Sequence, residues 1–149
     1  MSETTNIKLA ISALKRAGRW LMGAFRALED GRWDDVVYSS QMVVEQSSKA
    51  VLIALGIDYP KEHDVSIAFK HILKLKNIPE WFIALIDELS DNISELAELR
   101  GLAGYGYEEG IDVDYFKDYA PIAYEKAKKH YDACSRLLRE LFHLNVDHV

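Results

Sequence analysis

Apolar residues return every three or four positions along almost the whole chain, and no segment alternates apolar and polar residues in the manner of a strand. That spacing matches the 3.6-residue turn of an α-helix, where it gathers the apolar side chains into one face that must be buried. Nothing resembles a strand hairpin or an internal repeat. The pattern therefore predicts an all-α protein.

Five segments carry the period. The first is capped near Thr4 or Thr5 and places Ala10, Leu14, Ala17, Leu21, Ala24, Phe25 and Leu28 inward before Glu29, Asp30 and Gly31 end it. The second runs from Trp33 or Asp34 to Leu55 and stops at Gly56, the residue type that most readily turns left-handed after a helix. Val36, Val43, Ala50 and Ala54 form one row on it, and Val37, Val44, Val51 and Leu55 the next, so this helix is expected to be touched from two sides. A short helix opens at Asp64 as cap, with Ile67, Ala68, His71, Ile72 and Leu75 inside. A fourth is expected over Glu80–Ala103, and a last one begins between Asp114 and Pro121, ends near Leu144, and turns Ala123, Ala127, Tyr131, Cys134, Leu138 and Leu141 inward. Four long helices and one short one pack most simply as an antiparallel up-and-down bundle.

At 149 residues, 49% of them hydrophobic, the chain suits one domain with a real core and is too short for two. A net charge of −6 argues against a surface built throughout to hold nucleic acid, because such affinity comes from Lys and Arg neutralising phosphates. The lone cysteine, Cys134, excludes a disulfide framework or a cysteine metal site within one chain and is expected to pack in the core. Met1–Ile7 lacks the apolar stretch of a signal peptide, and no apolar run reaches the length of a membrane span, so a soluble cytoplasmic protein without membrane association is expected. The histidines are scattered and form no HExxH or His-x-x-x-His pair, so no metal and no cofactor is expected.

The fourth helix carries the most unusual side chain. Phe82, Leu85, Leu89, Ile93, Leu96, Arg100 and Ala103 follow one another at helical spacing, which sets a guanidinium on the apolar stripe just before the loop that holds Tyr105 and Tyr107. A buried guanidinium needs a partner or a cleft. Either Arg100 snorkels at a helix end, where the dipole favours a cation, or it lines an anion site with the two tyrosines.

Charge is segregated as well. Asn6 to Leu28 holds Lys8, Lys15, Arg16, Arg19 and Arg26 and no acid, whereas Glu80 to Asp118 holds eleven acids against Arg100 and Lys117. These are either ordinary solvated faces or a basic strip that meets an acidic partner, a second copy or a nucleotide phosphate.

The run Tyr38 to Leu52, with Gln41, Glu45 and Lys49 at successive turns, then Gly56, then His63 and Asp64 opening the next helix, resembles the HEPN superfamily of small helical domains. From the residues alone, Glu45 and Lys49 form a favourable i, i+4 pair that with Gln41 stabilises a helix surface, and His63 is a structural loop histidine. The resemblance spans nearly the whole chain and makes 1–149 a single HEPN-like domain. It implies an antiparallel bundle that forms a homodimer and sets an arginine and a histidine, four to six residues apart, in a cleft between protomers. Members of the family are metal-independent ribonucleases, RNA- or nucleotide-binding modules, or partners of small nucleotidyltransferases. In one branch the motif reads Arg-x4-His-x-Tyr, and the tyrosine accepts adenylate. Arg100, Tyr105 and Tyr107 fall on those three positions, with Tyr105 in place of the histidine and Tyr107 as the residue open to modification.

That replacement limits what the resemblance implies. A histidine exchanges protons near neutrality during attack of a ribose hydroxyl on phosphorus, whereas an unperturbed tyrosine, with a pKa of about 10, is a poor base at pH 7. Arg100 keeps its paired donors for phosphate, and Tyr105 and Tyr107 can stack on a base. The expectation is thus a non-catalytic or weakly catalytic module for a nucleotide or RNA phosphate, paired with a nucleotidyltransferase. The alternatives are a metal-independent ribonuclease toxin of a toxin–antitoxin pair, using Arg100 and Tyr105 as catalytic residues, and a purely structural adaptor.

Overall fold

In the computed structural model, which describes the backbone of residues 3–144 and side chains from residue 5, all regular structure is helical. The four long helices are α1 (Glu3–Asp30), α2 (Trp33–Leu55), α5 (Ile86–Tyr105) and α6 (Ala120–Phe142), and α3 (Ser66–Lys70) and α4 (Glu80–Ile83) are short. This is the expected all-α bundle.

Its centre is α2, which packs against α1, α5 and α6 together. Both predicted rows explain why, since Val36, Val43, Ala50, Val37, Val44 and Val51 are all buried. Alanines at 10, 17, 24 and 27 on α1 are buried and small, which lets that helix lie close against α2. Leu89, Ile93 and Leu96 of α5 and Ala127, Cys134, Leu137 and Leu138 of α6 complete the core. Each fully buried Leu or Ile side chain contributes about 1.5–3 kcal/mol through removal from water. At the end of α2, Gly56 takes φ +71°, and Ile57 N–H returns to Leu52 O at 2.9 Å, satisfying a terminal carbonyl in a left-handed cap. The chain then crosses to α3.

Several local expectations give way to packing. The segment expected as one helix from Glu80 to Ala103 is two, because Leu85 N–H bonds the Phe82 carbonyl in a tightened i→i−3 turn between α4 and α5. Phe82 and Ile86 both stay buried through the break, so the apolar period runs on as if the helix were continuous. Trp81 is thereby turned onto α6, where Arg136 lies 4.0 Å from its ring and Nε1 donates to Glu140 at 2.9 Å. Past Lys70, α3 gives way to a 3₁₀ turn over His71–Lys74, and across the two elements Ile67, His71 and Leu75 face outward while Phe69 faces inward. Phe25 is likewise exposed and lies against Tyr124. α1 already begins at Glu3, so neither Thr4 nor Thr5 is its cap, and the residue before it lies outside the described residues. α6 ends at Phe142, where His143 takes φ +54°. His148, one of the scattered histidines, lies outside the described residues.

One polar chain threads the core. The hydroxyl of Ser48 on α2 donates to Val44 O at 2.6 Å, so its oxygen must accept from His130 Nε2 of α6, also at 2.6 Å. That fixes the Nε2–H tautomer. Burial holds the imidazole neutral, its pKa pushed down to about 3.

Candidate functional site

Arg100 lies in the penultimate turn of α5 and is half-buried, as its place on the apolar stripe requires. Its partner is on α2: Nη2 donates to the Tyr38 hydroxyl at 2.9 Å, and the guanidinium stands 5.0 Å from the centre of the same ring. Two neighbours fix that ring. Trp20 meets it edge-on at 6.2 Å, and Gly104, one turn beyond Arg100, leaves room where a Cβ would stand 3.0 Å from a ring carbon. Arg100 Nε is buried without a partner among the described residues. A donor is therefore left over on a group that cannot lose its charge.

The tyrosines expected beside Arg100 point elsewhere. Tyr105 is 55% exposed and Tyr107 70%, and neither bonds to Arg100. Tyr105 borders a 160 Å³ cavity with Gly101, Leu102, Gly106, Glu108 and Glu109, which Arg100 and Tyr107 do not line. The three residues of the expected anion site are thus neighbours in the chain without sharing one cavity in this protomer.

A second polar cluster lies on the same side of α2. Tyr38, Gln41, Glu45 and Lys49 follow at intervals of three and four, placing them along one face. Gln41 Nε2 donates to Glu45 Oε1 at 2.9 Å, Lys49 Nζ to Oε2 at 2.8 Å, and His63 Nδ1 joins Oε1 at 2.8 Å. Gln41 and Glu45 are buried, so this trio is not the exposed helix decoration that its spacing alone predicts. Burial opposes charge on Glu45, and the bonds from Gln41, Lys49 and His63 outweigh it, holding the carboxyl below its usual range. An ionised Glu45 only accepts, which makes Nδ1 of His63 the donor and leaves Nε2 of the half-exposed ring available.

The loop carrying His63 is anchored to α3 and α5. Asp64 accepts from Ser66 N–H at 2.9 Å and from the Ser94 hydroxyl at 3.0 Å, and Ser66 and Ser94 hydroxyls are 3.0 Å apart. The N-cap of α3 is Val65, which makes no side-chain cap bond, so the expected cap at Asp64 is displaced by one residue and Asp64 instead closes a turn onto Ser66 N–H. Around these groups opens a 590 Å³ cavity lined by Glu62, His63, Asp64, Ser94, Ala97 and Glu98. Sequence spacing missed this pocket because Glu45 and His63 are 18 residues apart and meet only after the Gly56 turn.

The basic strip and the acidic segment do not meet. Lys8, Lys15, Arg16, Arg19 and Arg26 are exposed on α1 and make no ion pair among the described residues. Two of the acids are served from α6 and its N-cap instead: Lys129 pairs with Glu88 at 2.6 Å, and Lys126 and Tyr119 both hold Glu95. No group of three or more His, Cys, Asp or Glu side chains among the described residues is arranged to hold a metal, and no described helix is long and apolar enough to cross a membrane.

Comparison with known proteins adds two findings. The HEPN domain model matches residues 12–141. A protein of Methanocaldococcus jannaschii named "Putative toxin MJ1304" is 36% identical over 93 residues, which cover 62% of this chain and 60% of that protein's length. No solved structure gives a significant match.

Proposed function

This chain belongs to the HEPN domain family, and we propose that it serves as a nucleotide- or RNA-phosphate-binding module with little or no nuclease activity of its own. The observation that carries this reading is Arg100, a permanent cation held at a fixed place by Tyr38 and keeping unspent donors. A guanidinium in that state suits the paired oxygens of a phosphate. Tyr105, on the position where the family motif has histidine, offers a phenol in place of a base that works at neutral pH. The exposed Tyr105 and Tyr107 support a site completed in a homodimer, where a second protomer would cover them. Tyr107 remains the residue that a nucleotidyltransferase partner would modify with adenylate.

The toxin name of the Methanocaldococcus relative favours a second reading, a metal-independent ribonuclease toxin acting through Arg100. One experiment separates the two. Calorimetry with AMP and a short oligoribonucleotide should show binding that weakens with salt and loses about 1–3 kcal/mol in Arg100→Ala. Cleavage of the oligonucleotide by the unaltered protein without added metal, abolished in Arg100→Ala, would establish the toxin reading instead. Equal heats for both proteins would remove Arg100 from either.

A further inference from the structure

The cavity beside His63 has a lining that a phosphate would not choose. Glu62, Asp64 and Glu98 surround it with carboxylates, which repel an anion. The same groups suit hydroxyls. A carboxylate accepts hydrogen bonds from a sugar diol, as acidic residues do toward ribose in dinucleotide-binding folds. Ser94, whose proton is held by Asp64, adds an acceptor oxygen, Ala97 leaves space, and His63 presents a ring nitrogen whose orientation is set from behind by buried Glu45.

The position of this cavity relative to Arg100 gives it a purpose. Ala97 lines it, and Arg100 follows three residues later on α5, about 4.5 Å further along the axis. On α2, Tyr38 holds Arg100 and Glu45 holds His63, seven residues apart on one face, or about 10 Å. Between them lies Gln41, whose Oε1 is buried without a partner among the described residues. A nucleotide fits between the two groups, because five bonds separate its phosphorus from its 3′-oxygen and a hydrogen bond at each end makes up the rest. We infer that the His63 cavity is a ribose-hydroxyl subsite of the phosphate site at Arg100, with His63, Ser94 and the rim carboxylates selecting a ribonucleotide over its deoxy form. The inference rests on the phosphate reading of Arg100. It adds a sugar contact that the arginine cannot supply.

The test compares AMP with 2′,3′-dideoxy-AMP by calorimetry on the full chain, in the unaltered protein and in Arg100→Ala, Ser94→Ala and His63→Gln, with circular dichroism confirming helical folds. The unaltered protein should prefer AMP by about tenfold, the loss expected when hydroxyl partners are left unpaired in a half-open cavity. Ser94→Ala and His63→Gln should each shrink that preference while leaving affinity for the dideoxy nucleotide unchanged. Arg100→Ala should weaken both ligands by the same factor. If both nucleotides bind equally to the unaltered protein and still depend on Arg100, the ribose subsite is overturned and the phosphate site stands. A preference that survives both Ser94→Ala and His63→Gln likewise overturns it. Should neither ligand depend on Arg100, the phosphate reading falls and takes the subsite with it.

Discussion

Arg100 and Tyr38 are 62 residues apart in sequence, yet the guanidinium donates to the tyrosine hydroxyl at 2.9 Å and lies over the same ring. This one contact ties α5 to the central helix α2 at the point where the apolar stripe meets a charge. It explains how a cation is tolerated there: the ring covers its apolar face and the hydroxyl accepts one of its hydrogen bonds.

Tyr38→Phe should keep the ring and lose the acceptor. Urea unfolding should report a loss of about 0.5–1.5 kcal/mol, the usual net value of one hydrogen bond. An unchanged midpoint would mean that the hydroxyl does not hold Arg100.

Two glycines of α5 provide a paired test of the same packing. A Cβ on Gly101 meets nothing within 4 Å, so Gly101→Ala should stabilise by about 0.4–1 kcal/mol through the unfolded chain. On Gly104 the same atom would stand 3.0 and 3.1 Å from two carbons of the Tyr38 ring, and Gly104→Ala should destabilise and weaken any Arg100-dependent binding. Thermal melts of the two variants should move in opposite directions.

Much of the fold was legible because burial in a bundle follows helical period directly. The α2 rows and the α6 stripe needed only the spacing of Val, Ala and Leu, and both are buried along their length, with Leu55 and Leu141 at the helix ends only partly covered. Arg100 was legible as an anomaly for the same reason. Its partner was not, since nothing in Tyr38's local sequence marks it as facing a helix that begins 48 positions later at Ile86. The Gln41, Glu45 and Lys49 spacing has one meaning on an open helix and another once the His63 loop closes over it. Leu75 faces outward because a five-residue helix followed by a 3₁₀ turn does not keep the 3.6-residue period, and Ile67 does because Ala68 and Phe69 take the inward face of α3.

Glu45 and His130 should give the protein two acid-sensitive windows. His130 takes up its proton near 6.5 when unfolded and only at about 3 when folded. Between those values the unfolded chain binds more protons, so stability is complete above about pH 6.5 and falls as pH drops, by at most about 1.4 kcal/mol per pH unit. His130→Gln, which keeps a donor for Ser48, should flatten that slope. For Glu45 the folded carboxyl titrates below its ordinary value of 4.5, so its contribution is present above that value and is lost as pH falls through the lower one. Glu45→Gln should flatten only this more acidic limb in urea titrations, and a single slope shared by both variants would contradict the assignment.

A phosphate site at Arg100 that does not cut RNA, as proposed, should turn into a weak nuclease once the missing chemistry is supplied. Two features stand in the way: Tyr105 is a phenol, and Arg100 is turned toward Tyr38. Tyr105→His supplies a group that exchanges protons near neutrality, a change worth about 10²–10⁴-fold where geometry permits. The arginine still has to leave Tyr38 to act beside it. Tyr105→His should therefore give weak, metal-independent cleavage of a short single-stranded RNA, and adding Tyr38→Phe should raise it by releasing the guanidinium. Arg100→Ala in the double variant should return the rate to background. If Tyr105→His is inactive and the double variant is too, positions 100 and 105 do not form one site in the assembled protein, and the arginine serves binding alone.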